Sequence, residues 1–285
     1  TGKRAFHRNL AAGLAAMIDF SHLAAALEQA KDTGRLPVFW WRDDDAGTHT
    51  PALDRLLSIR KRFSLPLALA VIPATLDHSL ALRLRREQGV SVLVHGLSHA
   101  NHAPVDQKKA EFGPHRSLDK LVSEASKGLQ HLSAAFASGF LVPVFVPPWN
   151  RVDTALVPYL AGIGYSGLST FGNRTPRMSG GVLKQINTHL DPIAWHQGGS
   201  LVAVDRLIRT LTELVLQRTR GETDEPIGIL THHLVQDDAV WSFCETLFEH
   251  LLRSEAIVFK GADHLFQSAS TATTLIDQSS TRPTN

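Results

Sequence analysis

From residue 36 onward, short runs of β-branched and aromatic residues alternate with longer stretches whose apolar residues recur at helical spacing. This alternation constrains the fold more than any other feature of the chain. Candidate strands fall at 36–42, 66–72, 91–94, 143–146, 165–170, 183–188, 226–231 and 256–259. Between them the spacing predicts helices over 50–63, 76–87, 118–136, 153–162, 201–218 and 239–253, and a further amphipathic helix begins at Ser21. Thr50 before Pro51, and Asp153, are plausible helix starts. Some seven or eight strand-then-helix steps predict an α/β fold with a parallel sheet, open or closed into a barrel. No linker interrupts the pattern, so residues 1–265 read as a single domain and 266–285, rich in Ser, Thr and Gln, as a flexible tail.

Composition narrows the partners. The 29 basic and 27 acidic residues leave a net charge of +2, too weak a field to recruit nucleic acid or an anionic membrane. No stretch reaches the roughly 20 apolar residues of a membrane span. Lys3, Arg4 and Arg8 precede a short Ala/Leu run over 10–17 that loosely imitates a secretory signal, but it lacks a convincing small-residue cleavage site, so the chain is read as cytoplasmic rather than exported. The single cysteine, Cys244, excludes an internal disulfide and any Cys-based zinc knuckle, leaving nitrogen and oxygen as metal ligands. Fifteen histidines against two tyrosines supply such nitrogen in excess.

In folds of this kind, catalytic groups collect where strands run out into loops. Four predicted strands end in unusual polar clusters. The first, Arg42-Asp43-Asp44-Asp45-Ala46-Gly47, sets three carboxylates in a row, which partly buried surroundings tolerate only if a cation or shared protons compensate. A solvated acidic turn is the ordinary alternative. Extended geometry would put Asp43 and Asp45 on one side and Asp44 on the other, unless the turn at Gly47 re-aims them. The second cluster runs from His95 to His102. On a helical turn His95 and His99 would share a face and present two nitrogens to one ion, with His102 as a possible third ligand. The third, Val146-Pro147-Pro148-Trp149-Asn150-Arg151, suits a rigid substrate-flanking wall. The fourth, Thr231-His232-His233, places a histidine where a general acid or base would sit.

In this order the clusters resemble the motifs of the polysaccharide deacetylase family, also called the NodB-homology domain or family 4 carbohydrate esterases, over a motif core of about residues 36–238. The resemblance implies an irregular (β/α)7-type barrel, a divalent metal, usually Zn2+, and removal of N- or O-acetyl groups from an acetylated carbohydrate. Carried over residue by residue, it makes Asp44 the catalytic base and Asp45, His95 and His99 the metal ligands. His232 becomes the catalytic acid, and Pro148, Trp149, Asn150 and Trp195 become substrate-binding residues. A shift by one, with Asp43 as base and Asp44 as ligand, is equally compatible with the sequence.

The chain also departs from the family pattern. Val146 stands where the third motif has an arginine that holds the catalytic aspartate, and Arg42 or Arg151 is available to replace it. Gly96 replaces the usual Ser or Thr after the first histidine, and His233 occupies the place of the usual aspartate after His232. Asp191 and Trp195 are similar to the fourth motif, with His189 and His196 beside them. Such divergence leaves open two other classes: a metal-dependent amidase acting on small non-peptide C–N bonds, and a non-catalytic carbohydrate-binding module using Trp149, Trp195 and Trp241 as stacking platforms.

Overall fold

A computed structural model describes residues 18–174 and 183–267. The signal-like run over 10–17 and nearly all of the predicted tail lie outside the described residues. Eight strands form one parallel sheet: β1 (Val38–Ala46), β2 (Leu67–Val71), β3 (Val90–His95), β4 (Leu141–Val146), β5 (Gly167–Leu168), β6 (Lys184–Gln185), β7 (Ile227–Thr231) and β8 (Val258–Phe259). The helices are α1 (Ser21–Asp32), α2 (Pro51–Phe63), α3 (His78–Leu84), α4 (Leu118–Ala135), α5 (Val157–Ile163), α6 (Val204–Thr219), α7 (Asp238–Leu252) and α8 (Ala262–Leu265). Each predicted strand and helix is present, with shorter β5, β6 and β8 and a longer β1. Thr50 caps α2 by accepting from the Leu53 N–H, a contact worth about 1 kcal/mol. Asp153 instead closes a turn onto the Ala155 N–H ahead of α5.

The strands run in the order β6-β5-β4-β3-β2-β1-β7, with β8 beside the start of β1. The segment after β6 then crosses to β7, where Leu190 bridges Ile229 and the His189 and Leu190 amides both donate to the Gly228 carbonyl. That contact closes an irregular (β/α)7-type barrel. Gly228 permits it, because a Cβ there would sit 2.6 Å from Thr188 Cα and from Trp40 Nε1.

Period-two alternation sorts the apolar side chains into two layers. Trp40, Ala68, Ala70, Leu93, Val144 and Val146 fill the barrel interior with Phe266. Trp41, Leu69, Val71, Val94, Phe145 and Ile229 face outward into the larger core beneath the helices. The two neighbouring tryptophans therefore serve different layers, and both are buried. Trp41 also donates from Nε1 to Thr231 Oγ1. Trp241 is buried under the Arg55 guanidinium, so it cannot be a stacking platform for a sugar. No helix among the described residues is long and apolar enough to cross a membrane.

Candidate metal centre and active site

The three aspartates of β1 part company. Trp40, Arg42 and Asp44 alternate onto the inward face, while Asp43 points outward with Trp41. Asp43 Oδ2 accepts from Thr231 Oγ1 at 2.6 Å and from the His233 amide at 3.1 Å, and its Oδ1 meets His233 Nδ1. All these groups are buried. Asp43 and His233 thus form an internal pair tying β1 to β7. Strict alternation would send Asp45 the same way, but between Asp43 and Ala46 β1 advances three residues against two of β2. The extra residue is a bulge, and Asp45 adopts φ +72°. This re-aims its carboxylate toward the end of β3, so the expectation that Asp43 and Asp45 share a side does not hold.

Asp45 Oδ1 lies 3.0 Å from His95 Nε2 and 3.2 Å from His99 Nε2. Among the described residues, these three form the group whose ligand atoms could hold one ion. The histidines do not meet on a helical turn, as their spacing suggested. His95 ends β3, and the loop that follows has positive φ at Gly96 and at His99, which folds the second imidazole back toward the first. His102 is exposed and outside the cluster.

Donor chemistry tests whether a cation fits. His95 Nδ1 is 3.0 Å from the Val146 carbonyl, an acceptor, so Nδ1 carries the proton and Nε2 of the neutral ring offers a lone pair to the Asp45 carboxylate. Two electron-rich atoms at that distance require a proton or a cation between them. The separations also suit a tetrahedral ion with bonds of about 2.0–2.1 Å, whose ligand atoms would be roughly 3.3 Å apart. Burial opposes charge on both partners, yet the imidazoles hold Asp45 well below the usual carboxylate range, and Asp45 and Asp44 raise His95. The set therefore fits a divalent ion.

Of the two arginines available beside the clusters, Arg42 is the one that meets Asp44. Its Nη2 donates to Asp44 Oδ2 at 3.0 Å and to Asn150 Oδ1 at 2.7 Å, and its Nη1 donates to Ser169 Oγ at 2.7 Å. Nε lies 2.9 Å from Asp44 Oδ1, but neither atom has a hydrogen-bond partner, because the N–H is not aimed along that line. The contact is electrostatic, and with the Nη2 bond it sets both carboxylate oxygens of Asp44 against one guanidinium. Arg151 turns away to the Lys109 carbonyl. The Asn150 bond also clamps the Pro-Pro turn, where Trp149 and Asn150 adopt successive positive φ values of 55° and 56°. There the Trp149 ring packs 4.3 Å from that of His99.

His232 stands at the end of β7 with its ring edge-on to Trp195, 4.8 Å between centroids, and its buried Nδ1 has no hydrogen-bond partner. Trp195 is anchored by Nε1 donating to Asp191 Oδ2 at 2.8 Å. Burial pushes the Asp191 carboxyl up, against the pull of His232 and the Trp195 N–H. His189 does not orient this pair: its ring binds the Gly228 amide and lies beside Glu225. Trp195, Leu234 and Val235 leave about half their surface exposed, giving this side an apolar rim.

Sequence reasoning missed Glu111. Fully buried, it accepts from the amides of Leu97, Ser98 and His99 and from Ser98 Oγ. It lies between β3 and α4, where no periodicity marks it. The one available signal was Gly96, whose missing side chain leaves room for it.

No protein-family model and no curated protein matches the sequence. Solved structures do match its fold. A putative polysaccharide deacetylase from Mycobacterium smegmatis aligns over 82% of each chain at 16% identity with a TM-score of 0.53. The Bc1960 peptidoglycan N-acetylglucosamine deacetylase aligns over 82% of this chain and 89% of its own at 13% identity and a TM-score of 0.51. A family 4 carbohydrate esterase from Streptomyces lividans, solved with acetate, covers 81% of this chain and 95% of its own at 14% identity and 0.50. The chain therefore has, at low sequence identity, the NodB-homology fold of the polysaccharide deacetylases.

Proposed function

We propose that the protein is a metal-dependent hydrolase that removes acetyl groups from an N- or O-acetylated carbohydrate, with residues 1–265 acting as one catalytic domain. The observation that carries this reading is the convergence of Asp45, His95 and His99 on one point, with the buried carboxylate of Asp44, paired to Arg42, beside them on β1. Bound by those three residues, a divalent ion such as Zn2+ would supply Lewis acidity to the acyl carbonyl and to water. Asp44, held by Arg42, takes the proton of the attacking water. The Asn150 and Arg151 amides are spent on the Pro147 and Pro148 carbonyls, so we assign the Trp149 N–H to the oxyanion that develops on the acyl carbon. His232 delivers a proton to the departing nitrogen or oxygen, and the products are acetate and the free amine or alcohol. Pro148, Trp149, Asn150 and Trp195 flank the sugar.

Acetate release from a panel of acetylated sugars, with small amides as a second arm, tests the reading. Turnover is expected on sugars, lost on chelation and restored by metal. Asp44→Asn and His232→Ala should each lower turnover by about 10²–10⁴-fold while metal content by elemental analysis stays at the wild-type level. Wild-type turnover in both variants would remove these roles, and activity confined to small amides would replace the carbohydrate reading.

A further inference from the structure

Resting on that metal centre, we infer that Glu111 is a positioning residue for the His95–His99 loop: its buried carboxylate gathers three successive amides and thereby sets His99 against Asp45. Oε2 accepts from the Leu97 and His99 N–H groups at 3.2 Å each, and Oε1 from the Ser98 N–H and Oγ at 2.7 Å each. Four donors converge on one acceptor-only group, and a ligand of the site supplies one of them. Gly96 is matched to this arrangement. It adopts φ +59°, and a Cβ would come within 2.3 Å of Glu111 Oε2 and 2.6 Å of Pro148 Cδ. The loop is therefore pinned between the carboxylate and the Pro-Pro turn.

Glu111 is itself fixed. Phe112 beside it is fully buried, bridges Val152 and accepts from the Asp153 N–H at 2.7 Å, while Arg116 donates to the Glu111 carbonyl. Rigid support from outside the ligand set is what orients ligands in metal centres, and its loss typically costs 10–100-fold in metal affinity. A glutamine cannot substitute, because its NH2 would face an N–H that needs an acceptor.

The test is a Co2+ titration of the metal-stripped full chain, followed by visible absorption, with Tm measured in parallel. Glu111→Gln should weaken Co2+ binding by roughly 10–100-fold and alter the ligand-field bands. Ser98→Ala, at an exposed residue that removes one of the four donors, should weaken it a few-fold with folding intact. Glu225→Gln, at an equally buried carboxylate that accepts backbone amides far from the loop, should lower Tm yet leave affinity and bands unchanged. Wild-type affinity and bands in Glu111→Gln, or in Ser98→Ala should the first variant not fold, would overturn the inference while leaving the metal centre standing. Wild-type protein that binds no Co2+ would overturn the metal reading itself.

Discussion

Arg42 and Asp44, two residues apart on the inward face of β1, form a buried ion pair with Nη2 to Oδ2 at 3.0 Å, and the same guanidinium reaches Ser169 and Asn150. One side chain thus joins β1, the end of β5 and the turn after β4. The charge that balances the carboxylate also holds the turn that carries Trp149.

Arg42→Met should therefore be expensive. It leaves Asp44 charged and buried without a partner, and unfolding in denaturant should show a loss of about 3–5 kcal/mol. Arg42→Lys keeps the charge but not the planar fork that spans Asp44 and Asn150. It should recover much of the stability while acetate release stays on the order of 10²-fold below wild type, because the base and the turn are no longer held in register. Wild-type turnover in Arg42→Lys would mean that the positive charge alone matters.

Asp43 should separate stability from catalysis. Its oxygens are taken up by Thr231 and His233, so Asp43→Asn sets an amide against donors that need an acceptor. The expected cost is about 1–3 kcal/mol by denaturant unfolding. Metal content should be unchanged, and turnover should fall far less than in Asp44→Asn. If turnover instead falls as far as in Asp44→Asn, Asp43 is the base and the carboxylate assignments move by one.

Stability should decline on acidification through a group far from the metal centre. Burial pushes the His189 imidazole below its ordinary value of 6.5, and the attraction of Glu225 only partly offsets this. Burial would raise Glu225, yet His189 and the Arg174 and Asn187 amides hold it below its ordinary 4.5. For both groups the unfolded chain binds protons more readily than the native one. Their contributions are intact above the unfolded values and are lost as pH falls, His189 first, from about 6.5 downward, and Glu225 next, below about 4.5. Denaturant midpoints of the metal-free protein between pH 7 and 4 should fall, and less steeply between 6.5 and 5 in His189→Gln. An unchanged slope in that variant would place the proton uptake elsewhere.

The alternation of β-branched runs with helical periods was enough to predict a parallel sheet with its helices, though not whether it closes, because burial on both faces of a parallel strand writes a near-continuous apolar run and each outer helix writes an amphipathic one. The strand-end clusters likewise drew attention to 42–47, 95–102 and 231–233 as segments that would meet, and the family resemblance picked Asp44, Asp45, His95, His99 and His232 from them. What the sequence left open depended on backbone twist and on distant chain. The one-residue shift among the aspartates was undecidable because the parity of a strand is legible only while it stays regular, and the bulge at Asp45 breaks it. His95 and His99 do come together, but around a loop and not on a helical turn, since spacing of four suits a helix as well as a loop with two left-handed residues.

Tertiary structure alone decided that Arg42 rather than Arg151 pairs with Asp44, because that choice depends on which guanidinium faces the barrel interior. It alone brought Glu111 beneath the His95–His99 loop, fifteen positions after Gly96 and without periodicity to announce it. Local sequence sets which residues lie on one face of a strand or helix. Which charges finally meet is fixed by closure of the barrel, where a buried carboxylate or guanidinium must find its partner across the chain or go unpaired.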